Sequence, residues 1–196
     1  MSSEKASPVK AFFSLSSLLL IVLVGLVVKT PGGEPRVVDA LQVSPVAAVE
    51  TIKVTGLVEI PGDLSVADLQ TLPIETIEAT VEVEGVAQTH TYTGVRLWDV
   101  LARAKPLVDP NVNGDPLRKY IALTANDGYE VVISFGELDP QFGGHAYLLA
   151  WEEDGAALTG DKGPVELVTP GDKTSGRYIW GIDTIEVRDV DSPPRA

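Results

Sequence analysis

Between Lys119 and Asp189 the chain alternates short runs of β-branched and aromatic residues with turn residues, a pattern that commits most of this half to sheet. Lys119-Tyr-Ile-Ala-Leu-Thr124 and Tyr129-Glu-Val-Val-Ile-Ser134 flank Asn126-Asp-Gly128, which is a hairpin signal. Ala146-Tyr-Leu-Leu-Ala-Trp151 runs into Glu152-Glu-Asp-Gly155, a second turn with glycine where positive φ costs little. Gly163-Pro164 introduces a short strand, Val165-Glu-Leu-Val-Thr169, which Pro170-Gly171-Asp172 closes. A last strand is expected over Tyr178–Val187.

The preceding stretch reads as strands with one clear helix. Thr51–Val58 alternates like a strand and turns at Pro61-Gly62. Ser65-Val-Ala-Asp68 resembles a capping box, opening one short helical turn that ends at Leu72-Pro73. From Ile74 to Glu84, residues Ile77, Ala79, Val81 and Val83 would share one strand face, opposite Glu78, Thr80, Glu82 and Glu84. Gln88–Tyr92 is the expected hairpin partner through Gly85. Thr93-Gly94 is expected to open a helix over Val95–Ala104, with Leu97, Val100, Leu101 and Ala104 forming an apolar stripe and Pro106 stopping it. The fold class is therefore α+β, mixed and mostly β, with one main helix.

Ala11–Val28 is an 18-residue run without a charge. A spanning helix needs about 20 apolar residues, a signal-peptide core only about 7–15. Lys5 and Lys10 precede the run and favour a cytoplasmic N-terminus. A cleaved signal would use Val38-Asp-Ala40, 12 residues past the run, so length and spacing favour an uncleaved transmembrane anchor. The expected organisation is a cytoplasmic N-terminus (1–10), an anchor (11–28), a Pro/Gly-rich linker (29–50), an extracytoplasmic domain (51–189) and a polar tail (190–196). Residues 37–196 carry 11 cations against 26 carboxylates, a net of −15, which argues against a nucleic-acid partner. No cysteine is present, so disulfides, zinc–thiolate sites, iron–sulfur clusters and cysteine nucleophiles are excluded.

Several motifs then fall in one order: Tyr92-Thr-Gly-Val-Arg-Leu97, Asp127-Gly128-Tyr129, Leu148-Leu-Ala150, Gly163-Pro164, Pro170-Gly171, Arg177 and Ile185-Glu-Val187. In this order and spacing the stretch Thr51–Asp189 resembles the molybdopterin-binding domain of the sulfite-oxidase family. The resemblance implies a mixed, mostly-β domain, with molybdopterin as cofactor and an oxidoreductase activity. It also implies a cysteine thiolate to hold molybdenum, a soft ligand for a redox-active metal. Val83 stands at that place here, and is expected to be an ordinary inward strand residue. Where the resemblance implies an arginine and a lysine for the cofactor phosphate, this chain has Glu166 and Trp180. A like charge about 4 Å from a phosphate costs on the order of 1–4 kcal/mol at surface-like dielectric.

The cations near those loops are Lys162, Lys173 and Arg177, and Asp172–Gly176 offers backbone amides and hydroxyls for an anion nest. The competing reading is three solvated surface cations. His145, after Gly143-Gly144, is a candidate donor to a cofactor, against the alternative of a structural or solvent-facing histidine. Asp109, Asn111, Asn113 and Asp115 put oxygens at alternate positions but lack the closing glutamate of a calcium loop, so a turn-rich connector is favoured. No phosphate loop, dinucleotide fingerprint or Gly-x-Ser-x-Gly elbow occurs. Two functions follow: a membrane-anchored molybdopterin oxidoreductase without a cysteine ligand, or a cofactor-free binding module with a protein partner at the membrane. No twin arginine precedes Ala11, which favours a domain exported without a cofactor.

Overall fold

The computed structural model describes residues 51–192. The expected cytoplasmic segment, anchor and linker (1–50), and the end of the tail, lie outside the described residues. Among the described residues no helix is long and apolar enough to cross a membrane.

In chain order the first elements are β1 (Thr51–Gly56), β2 (Gly62–Ser65), α1 (Val66–Leu69), β3 (Ile74–Val83), β4 (Val86–Arg96) and α2 (Leu97–Ala104). There follow β5 (Lys119–Ala125), β6 (Glu130–Ser134), α3 (Phe135–Leu138), β7 (Leu148–Glu153), β8 (Ala156–Ala157), β9 (Glu166–Val168) and β10 (Ile182–Asp189). Single 3-10 turns occupy Asp115–Arg118, Gly160–Lys162 and Ser175–Arg177. One sheet has the order β2-β1-β10-β5-β6, with β1 and β10 parallel and the other pairs antiparallel. The second runs β3-β4-β7-β8, and β9 pairs β7 beyond the reach of β8.

The main core gathers Ile52, Ile121, Leu123 and Ile185 of the first sheet, Val95, Leu149 and Leu167 of the second, and the stripe of α2. Leu97, Val100 and Leu101 are wholly buried, each burial contributing about 1.5–3 kcal/mol. A smaller cluster of Ala79, Val81, Tyr92, Leu148, Ala150, Val168 and Tyr178 lies on the second sheet. Alternation explains the division: Leu149 and Leu167 serve the main core while their neighbours Leu148 and Val168 serve the smaller one.

The expected hairpins form, but three boundaries differ. Strand β4 is longer than Gln88–Tyr92 and includes Thr93–Arg96, so the helix begins at Leu97 rather than Val95. Val95 pairs with both Ile74 and Leu149 and is fully buried, and two ladders outweigh one extra helical residue. Helix α2 ends at Ala104, one residue before Lys105 takes the left-handed conformation (φ 54°) and two before Pro106. Val83 is not an inward residue: it closes the β3–β4 hairpin opposite Val86 and is 38% exposed. Residues Glu84 and Gly85 both have positive φ there, as a two-residue hairpin turn of this hand requires. Helix α3 is an addition to the elements expected from sequence, although Ser134 and Glu137 carry its signal, a reciprocal capping box.

Candidate functional site

The residues proposed from sequence separate into two side-chain clusters and one exposed loop position. Arg177, in the 3-10 turn before Tyr178, is held by Asp172 through two bonds, Nε to Oδ2 at 2.8 Å and Nη2 to Oδ1 at 2.6 Å. Its Nη2 also donates to the Tyr147 hydroxyl at 3.1 Å, and the guanidinium lies 5.3 Å from the Tyr147 ring centroid. His145 stacks on the same ring, with centroids 5.5 Å apart and planes 17° apart. Arg177 holds the Asp172 carboxyl below its ordinary range, while burial foremost raises the Tyr147 hydroxyl. His145 and Arg177 are thus brought together, but around a tyrosine and a carboxylate.

Lys162 belongs to the other cluster. Its ammonium pairs with Glu153 Oε2, and Glu153 Oε1 accepts a bond from the Tyr92 hydroxyl at 3.2 Å. His90 Nδ1 lies 2.8 Å from Asp154 and 3.6 Å from Glu153. Glu166, paired with Ala150 across β9 and β7, is 1% exposed, and neither of its carboxylate oxygens has a hydrogen-bond partner among the described residues. Burial pushes its carboxyl up to about 7, Lys162 offsetting part of that and Glu153 adding to it. Burial also raises Tyr92 and Tyr178, the latter to about 12, and the nearby Glu166 charge adds to both. Lys173 stands apart on an exposed turn, where its carbonyl accepts the Glu82 N–H at 2.9 Å.

Between the β5–β6 turn, the Gly160–Lys162 turn and the segment Ser175–Trp180 lies a cavity of about 610 Å³. Tyr129, Tyr178, Trp180, Asn126, Asp127 and Asp161 line it. Its walls are tied together: the Tyr129 hydroxyl donates to the Gly176 carbonyl at 2.7 Å, and the Asn126 N–H to the Gly181 carbonyl at 3.0 Å. Asp127 Oδ1 accepts the Tyr129 N–H at 2.8 Å, which fixes the turn that carries the ring. Trp180, half exposed, has the Lys162 ammonium 5.2 Å from its ring centroid.

A family model described as the oxidoreductase molybdopterin binding domain matches residues 42–195. The chain belongs to that family. The resemblance drawn from the motifs is therefore borne out, and the mixed, sheet-rich fold with few helices agrees with it. The search of curated proteins found no match to this molybdopterin-domain chain. Among solved structures, the crystal structure of the sulfane dehydrogenase SoxCD from Paracoccus pantotrophus matches with a TM-score of 0.55 and 20% identity. The match covers 72% of this chain and 39% of that one, and at this identity it is a likeness of fold.

Tyr147 and Glu153 contact the candidate cations, and sequence reasoning does not single them out. Asp172 falls in the stretch read as an anion nest, yet its carboxylate is what occupies the guanidinium. Only the distances reveal that. Among the described residues no group of three or more His, Cys, Asp or Glu side chains is arranged to hold a metal ion.

Proposed function

We propose that this member of the oxidoreductase molybdopterin-binding family is a non-catalytic binding module, tethered outside the cytoplasm by the apolar run at 11–28. One observation carries the reading: two of the three cations that would meet an anionic cofactor are already neutralised, Arg177 by Asp172 and Lys162 by Glu153, and the third, Lys173, stands apart from both. The donor set agrees. The sequence contains no cysteine, Val83 has no donor atom, and Glu166 adds a buried carboxylate on the strand after Gly163-Pro164. An anionic pterin phosphate would have to break two ion pairs, so these residues do not fit the group.

Molybdenum and pterin analysis of the full chain purified from its native host tests this. The expected result is neither component; molybdenum near one equivalent per chain would overturn it. The second reading, an oxidoreductase holding molybdopterin without a thiolate, is favoured by family membership and gains from that same outcome. The anchor is tested by fractionation. The chain is expected to stay with membranes through alkaline carbonate, with the domain open to protease from the extracytoplasmic side. Glu78, Thr80 and Glu82 form an exposed acidic face on β3, and a protein partner is expected there or beside the anchor. A native pull-down from solubilised membranes that recovers the chain alone would refute the partner.

A further inference from the structure

We propose that the cavity walled by Tyr129, Tyr178 and Trp180 and rimmed by Asp127 and Asp161 is a binding site for a small organic cation, of the quaternary-ammonium class. This rests on the reading of the domain as a cofactor-free module and names the ligand class of that module. The volume, about 610 Å³, is that of a small-molecule pocket. Aromatic faces attract cations through their quadrupoles, and Trp180 already does so here, with Lys162 5.2 Å from its centroid. That ammonium is itself paired with Glu153, which offsets its charge.

The lining residues include two carboxylates and no cation. The Asp161 side chain takes no hydrogen bond or ion pair from the described residues, and Asp127 uses one oxygen to accept the Tyr129 N–H. The whole chain carries −13, which raises the local concentration of cations and lowers that of anions. The site is also built in advance, since the 2.7 Å bond from Tyr129 to Gly176 and the Asn126–Gly181 bond fix its two sides.

Calorimetric titration of the purified full chain with choline chloride, with 3,3-dimethylbutan-1-ol as its uncharged isostere and with sodium phosphate, tests the site. Saturable choline binding is expected, with the isostere weaker by about tenfold and phosphate silent. Trp180→Ala should weaken choline by about tenfold and Trp180→Phe by less, while Asp161→Asn weakens choline but not the isostere. Should Trp180→Ala fail to fold by circular dichroism, the Asp161→Asn titration decides between the outcomes. Equal binding of choline and the isostere, binding of phosphate alone, no binding of any probe, or choline binding that these variants leave unchanged would overturn the proposal. Molybdenum in the native protein sinks the cofactor-free reading whatever choline does. Failure of choline in a molybdenum-free chain sinks this inference alone.

Discussion

Glu166 is the residue that most works against its surroundings. Its carboxyl is raised from 4.5 to about 7 in the folded chain, so the folded state holds a proton that the unfolded chain releases earlier. The sign follows from linkage: stability is greatest below the unfolded value of 4.5 and falls as pH rises toward about 7, at a final cost of roughly 3 kcal/mol. Glu166→Gln is therefore expected to stabilise by about 1–3 kcal/mol at pH 8 and by little at pH 5. Urea unfolding of both proteins at the two pH values checks this, and an equal gain at both would refute it. Asp172 makes the opposite case. Its depressed carboxyl adds stability above the ordinary carboxylate range that is lost as acid protonates it. Asp172→Asn should cost about 1–3 kcal/mol and leave Arg177 able to take an anion. Sulfate should then raise the melting temperature of the variant more than that of the parent at matched ionic strength.

At the scale of elements, the close approach of β4 and β7 is the sharpest constraint. A Cβ on Gly94 would lie 2.1 Å from the Leu149 carbonyl oxygen and 2.7 Å from the Ala150 Cα, both backbone atoms that cannot swing away. Gly94→Ala is expected to cost about 3 kcal/mol or more, whereas Gly62→Ala, with nothing within 4 Å, should stay within about 0.5 kcal/mol. Denaturation midpoints of the two variants decide it. The same glycine explains what is legible in the sequence. Turn residues such as Asn126-Asp-Gly128 announce themselves locally, so the hairpins and the stripe of α2 can be read directly. Gly94 reads like a helix start because its partner on β7, Ala150, is far along the chain and invisible to a local pattern. The candidate site suffers likewise: Lys162 and Arg177 are plain cations in sequence, and only folding sets Glu153 and Asp172 against them.

Over the whole molecule, charge is the property that no single contact accounts for. Carboxylates outnumber cations by 13, and the ion pairs that form leave most of the excess acting on itself. Raising sodium chloride from low to physiological concentration should therefore raise the melting temperature at pH 7, by screening repulsion in the folded state. A melting temperature that falls with salt would mean that attractive pairs dominate instead. Sheet order carries a different consequence. Strand β10 lies between β1 and β5, with Val54 facing Ile185. The ribosome delivers the centre of that sheet last, after both flanking strands have emerged. A nascent chain stalled before Ile182 therefore has two half-sheets with open edges, and depends on helpers or on speed to avoid pairing with its neighbours.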